Sequence, residues 1–343
     1  MNPRDPFPQF DRRTFFRHGT ASALALTAAG KLAGARLHAA AREPFAYDVS
    51  KYRNVDPALV RYEPVARFRC PKPEARRVSL GPDGRVYVAA SKHICVLSPE
   101  GSPLAEIGCP VAARAVAVGH DGRLFAALQN HVEVFDAQGR PLAVWDVPKG
   151  RPFLTAIAVG SKDVFVADSG NRVVHRYDLE GKPLRRIGEK DAARNIPGII
   201  LPSPFLDVEL GPDGLLRVNN PGRHRVELYT PDGDLERWWG RPSIAIDGFC
   251  GCCNPVGLAL LKDGRCVTFE KGLPRAKVYD AEGKFECVVA PPDFFKDTGT
   301  EESVMAAEQT SHGGLDGAAD AQGRVFILEL ASGLIHVLKP KQA

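Results

Sequence analysis

Residues 164–188 read VFVADSGNRVVHRYDLEGKPLRRIG, and the pattern inside this stretch sets the architecture of the chain. Val164 to Ala167 and Val173 to Tyr177 are short runs of β-branched, aromatic and small residues. Asp-Ser-Gly-Asn-Arg separates them, and Glu180-Gly181 follows the second run. Glycine behind a polar residue supplies the positive φ that tight hairpins require. The stretch therefore predicts strand, loop, strand, turn, strand.

The same punctuation recurs along the chain. One series of turns is Asp83-Gly84, Asp121-Gly122, Asp213-Gly214, Asp263-Gly264 and Gln322-Gly323, with Ser161-Lys162-Asp163 as a member without glycine. A second series is Glu100-Gly101, Gln138-Gly139, Glu180-Gly181, Asp232-Gly233 and Glu282-Gly283. Within a unit the two turns lie 17 residues apart in the first two units and 19 in the fourth and fifth. Between units the gap grows from 21 to 40 residues, so the units are rigid and the links carry the insertions. Segment 300–309 (TEESVMAAEQ) is the one good helix candidate.

The third unit resembles an NHL repeat, through strand, Ala-Asp, Ser-Gly-Asn-Arg, strand, glycine turn, strand and Ile-Gly. Units 215–240 and 265–289 keep the framework, the latter with Glu270 where the motif has Asp; the remaining units are degenerate. The resemblance spans roughly residues 60–340 and implies an all-β fold, a six-bladed β-propeller. The sixth unit has its hairpin, Val325–Leu330 with Leu334–Leu338, but no outer strand. Val60 to Arg69 (VRYEPVARFR) is expected to supply it and close the ring, removing exposed strand edges. The expected organisation is a signal at 1–41, a tether at 42–59 and the propeller at 60–343.

The N-terminus reads as an address. Asp11-Arg12-Arg13-Thr14-Phe15-Phe16-Arg17 resembles the twin-arginine export signal. The apolar run Ala21–Ala29 is too short to span a bilayer, and Ala39-Ala40-Ala41 offers a cleavage site. Export to the periplasm or beyond is expected, with no transmembrane segment in the mature chain. Residues 1–41 hold six Lys/Arg and two Asp, so of 45 basic and 41 acidic residues 39 of each remain afterwards. That zero balance leaves no global field to attract nucleic acid, which is excluded as a partner.

Eight cysteines enter an oxidising compartment, three of them in GFCGCCNP, residues 248–255. In the propeller family the inter-blade links share a face with the loop between second and third strands. The resemblance therefore gathers the insertions 189–204, 240–254 and 290–313 with Asp168, Asn220, Glu270 and Glu329, the ends of four second strands. Arg172, His224, Lys271 and Arg275 lie in the adjoining loops and complete the candidate ligand-binding face. Cys70 and Cys109 also fall in links, whereas Cys95, Cys266 and Cys287 fall in strands and read as packing residues.

Three chemistries are open to Cys250, Cys252 and Cys253. They are a disulfide staple with Cys70, Cys109 or a neighbour; a soft-metal site (Cu, Zn or Fe–S) with His224 or His312 as a further ligand; and a reactive thiol. No Ser-His-Asp or paired-carboxylate constellation with a compelling spacing is present. The favoured reading is an exported binding or scaffold module that takes a protein partner or small ligand on the insertion-bearing face. The competing one is a metal- or thiol-dependent redox protein, or a lyase or hydrolase working near the central channel.

Overall fold

The structure, a computed structural model, describes residues 50–147, 150–298 and 314–342. The export signal, the helix candidate 300–309 and His312 lie outside the described residues, as does the start of the tether. Six four-stranded antiparallel sheets form the blades of a β-propeller. Blades one to five run in order through 75–108, 115–146, 154–187, 208–239 and 257–290. Inner strands of successive blades are neighbours all the way round, the sixth touching the first.

Blade six takes three strands from 315–340 and its outer strand from Tyr62–Arg69. Tyr62 pairs with Pro340 and Arg69 with Leu334, antiparallel, with one bulge between Pro64 and Ala66. The N-terminal segment thus closes the ring as expected, by hydrogen bonding the edge that the C-terminal strand would otherwise present. Just before it, the Arg61 amide donates to the Val288 carbonyl at 3.2 Å, laying the entering chain along blade five.

Position within a blade dictates composition. Second strands are enclosed on both faces and read as continuous apolar runs, such as Val86–Ala90 and Leu124–Ala127. Outer strands other than Phe285–Ala290 of blade five, which is mostly buried, are largely exposed and end in one apolar anchor. These anchors are Ile107, Trp145, Ile187 and Trp239, all buried, with half-buried Phe68 from the closing strand.

Each anchor docks on the next blade's second-series turn, which explains why that turn carries glycine. Gly283 has φ 87°, and a Cβ there would stand 2.0 Å from Trp239. The same pairing joins Gly101 to Phe68, Gly139 to Ile107 and Gly181 to Trp145. Gly214, in a first-series turn, has φ 78° but open space around the Cβ position. Gly214→Ala should therefore cost about 1–2 kcal/mol from backbone conformation alone, and Gly283→Ala about 1–3 kcal/mol more from overpacking. Urea unfolding of the two variants checks the difference, and equal losses would contradict the anchor role.

Candidate functional site

The first-to-second-strand turns align the blades through the pairs Leu80–Val86, Val118–Leu124, Val159–Val164, Leu210–Leu216, Leu260–Cys266 and Ala319–Val325. Counting from these pairs puts Asp168, Asn220, Glu270 and Glu329 at one repeat position. The residues seven places further on are His175, Glu227, Lys277 and His336. All eight are buried, and they pair within each blade. His175 Nε2 lies 3.0 Å from Asp168, Asn220 donates to Glu227 at 2.9 Å, Lys277 Nζ lies 2.7 Å from Glu270, and His336 Nε2 lies 2.7 Å from Glu329. Blades one and two carry Ala90 and Leu128 at the first position.

What these pairs hold is the incoming link. Asp168 accepts from the Phe153 amide at 2.9 Å, and Asn220 accepts from Ile200 at 2.9 Å and donates to the Gly198 carbonyl at 3.3 Å. The four polar residues placed on the ligand face by sequence are thus buried beneath it; Asp168, Asn220 and Glu270 bond link backbone, and Glu329 bonds Ser332 of its own loop. Arg172 is exposed, with φ 57°, and Lys271 and His224 are half-buried.

The cysteine-bearing link 240–256 is pinned most heavily. Arg275 donates to the carbonyls of Ile244, at 3.1 Å, and Gly248, at 3.2 Å; Lys277 donates to Gly248 at 2.6 Å. Glu270 neutralises both cations and accepts weakly from the Cys250 amide at 3.4 Å. Asn254 donates to the carbonyls of Cys250 and Lys271 and accepts from the Lys271 amide at 2.9 Å. His224 reaches the Gly251 carbonyl. Burial pulls the Lys277 ammonium down to about 8 in spite of Glu270.

This frame holds the three thiols apart in function. Cys252 and Cys253 face each other, Sγ to Sγ 2.9 Å, while Cys250 lies against Glu270, Arg275 and Lys277. The Cys253 contact, then burial, push the exposed Cys252 thiol up; burial and Glu270 do the same to Cys250. The other link cysteines do not join them. Cys70 hydrogen-bonds Cys95 in blade one, and that contact holds Cys70 below the ordinary thiol range. Burial raises Cys109 to about 11, with Glu133 of blade two adding to it. Among the described residues no three His, Cys, Asp or Glu side chains are placed to hold a metal ion. The thiols present therefore do not by themselves fit a soft-metal site. Of the two tryptophans before this link, Trp239 packs between blades, 4.7 Å from the Tyr279 ring, and Trp238 is exposed beneath Arg225.

The central channel carries charge that motif reading missed. The inner-strand layer consists of Arg77, Ala115, Ala156, Asp207, Gly257 and Asp316. Arg77 of blade one reaches Asp207 of blade four at 2.7 Å and Asp316 of blade six at 2.8 Å, and donates to the Thr155 carbonyl of blade three at 3.0 Å. Each carboxylate also serves the next blade: Asp316 accepts from the Val78 amide and Asp207 from the Leu258 amide, both at 2.7 Å. Glu209 faces a cavity of about 140 Å³ beside this plug. The signal was available, because charged residues occupy a layer that three other blades fill with Ala or Gly.

No protein-family profile matches the chain, and no curated protein matches it in sequence. Solved structures share its fold. A catalytically inactive virginiamycin B lyase from Staphylococcus aureus with quinupristin is 13% identical over 80% of this chain and 83% of its own, with TM-score 0.55. A streptogramin B lyase is 13% identical, covering 83% of this chain and all of its own, with TM-score 0.53. The WD40 propeller domain of Doa1 is 11% identical over 78% and 79% of the two chains, with TM-score 0.53.

Two outcomes follow. Glu270→Gln leaves Arg275 and Lys277 buried without their counter-charge and should cost about 3–5 kcal/mol; urea unfolding with hydrogen exchange should show link 240–256 losing protection first. Burial pushes Asp316 up from 3.8 to about 7, against the pull of Arg77 and aided by Asp207; Glu209, facing the same cluster, is raised as well. An acid raised in the folded state destabilises it as pH climbs from the unfolded to the folded value, here from about 4 to about 7. Asp316→Asn should flatten that decline, measured as unfolding free energy against pH, and an unchanged slope would contradict it.

Proposed function

We propose that this chain is an exported binding module of the NHL-repeat type, working through its link-bearing face. One observation carries the proposal: long links occur on that face alone, and buried polar groups fix them there. Links 188–207 and 240–256 are fastened through Asn220, Glu270, Arg275 and Asn254, whereas the opposite face carries short turns. Fixed loops on a rigid ring form a recognition surface whose ordering entropy is already spent. The occupant is a small ligand or a protein partner, and the balanced mature charge argues against nucleic acid.

The twin-arginine signal at 1–41 would deliver the folded propeller to the periplasm, with 42–59 as a tether. The facing thiols of Cys252 and Cys253 are adjacent in sequence, so a staple of the link in that compartment would need Cys250 or another cysteine as partner. A metal anchor of Cu, Zn or Fe–S would need ligands from beyond the described residues. The alternative reading is a lyase working at the channel; two proteins that share the fold are lyases by name. It is favoured by Asp316, a carboxyl held up to about 7 that can exchange a proton near neutrality.

A small-molecule screen by thermal shift, with hits mapped by hydrogen exchange, tests the binding reading. Protection is expected in 188–207, 240–256 and 270–275. Protection confined to the turns around 211–215 and 261–265 would place recognition on the wrong face.

A further inference from the structure

Three arginines stand at the channel mouth on the link-bearing face. Arg77 forms the floor, Arg76 occupies the bulge before it, and Arg114 precedes the inner strand of blade two. They line a cavity of about 70 Å³ whose apolar wall includes Phe205, Leu206 and Leu330. The Nε–H of every one of the three is out of water and meets no acceptor among the described residues. Such orphaned buried donors are rare in a native fold and mark a place where something else accepts.

Their partners differ in a way that selects the ligand. Arg77 gives its Nη1 to both Asp207 and Asp316 and its Nη2 to the Thr155 carbonyl. Arg76 has Glu74 at 3.1 Å, an exposed carboxylate on the rim. Arg114 has no carboxylate partner among the described residues; its guanidinium lies 3.7 Å from the centroid of the Phe153 ring. Stacking on an aromatic face leaves the edge of a guanidinium free for a planar, two-pronged acceptor. Burial lowers Arg114 to about 10, and the like charge of Arg76 adds to that. A counter-anion relieves both effects.

We propose that this mouth binds the carboxylate of a small organic acid, with Arg114 as the principal contact, Arg76 as the second and the apolar body of the acid against Phe205 and Leu206. Size and charge argue for carboxylate over phosphate. The cavity is small, and Glu74 on its rim repels a dianion more strongly than a monoanion. The proposal rests on the link-bearing face being the recognition surface, and it names the chemistry recognised there.

Phenylacetate, phenylacetamide and inorganic phosphate are titrated calorimetrically into the full-length protein. Phenylacetate should bind with a dissociation constant of about 1 mM or tighter, and the amide and phosphate at least about tenfold more weakly. Arg114→Gln should weaken phenylacetate at least about tenfold, with an unchanged circular dichroism spectrum, while Arg67→Gln on the closing strand leaves binding intact. No phenylacetate binding would mean that water alone satisfies the mouth, and would overturn the proposal. So would equal binding of the amide, equal or tighter binding of phosphate, or indifference to Arg114→Gln. Any of these beside screen hits protecting 188–207 and 240–256 would remove the carboxylate site and leave the recognition face standing.

Discussion

Every blade of a propeller turns the free edge of its inner strand toward the axis, and those amides need acceptors. Two carboxylates meet part of that need here. Asp316 and Asp207 each reach past their own blade to accept an inner-strand amide of the next, Val78 and Leu258. Arg77 crosses the channel and binds both carboxylates. The result ties blades one, three, four and six through one guanidinium. Small residues elsewhere in the layer, Ala115, Ala156 and Gly257, make room for the crossing side chain.

A second set of buried polar groups decides what the outer surface can be. The pairs Asp168–His175, Asn220–Glu227, Glu270–Lys277 and Glu329–His336 belong to one repeat position and occur in the blades that follow or carry the longer links. Isolated, each would be expensive to bury; paired, each is satisfied, and the first three, bonded to link backbone, turn a loop into a fixed part of the ring. Blades one and two, entered by short links, use Ala90 and Leu128 and need no such fastening.

Much of the fold could be read from the chain because its determinants are local. Turn glycines carry φ near 80–90°, as at Gly84 and Gly283, and a missing outer strand leaves a visible deficit in unit six. The site was less legible. Asp168, Asn220, Glu270 and Glu329 were assigned to the correct end of their strands, but sequence spacing does not say whether a polar side chain faces solvent or braces a loop. The cysteines illustrate a different limit. Sharing a face does not bring residues together when their blades are not neighbours in the ring, so Cys70 finds Cys95 of the adjoining blade, not Cys250. Arg77 escaped notice for a further reason: its partners lie 130 and 239 residues away, and no short motif encodes them.

The seam in blade six also orders events in time. Strand Tyr62–Arg69 leaves the ribosome before any complete blade, yet its sheet partner, Leu334–Pro340, is made only after the other five blades. At about 5–20 residues per second the early strand waits tens of seconds with its amides unsatisfied and its apolar residues uncovered. Five blades can assemble meanwhile, but the circle stays open until Leu334–Pro340 is made. A nascent chain of this design therefore depends on whatever shields that strand during the wait, and a ribosome stalled before Leu334 would leave the ring with two unmatched edges.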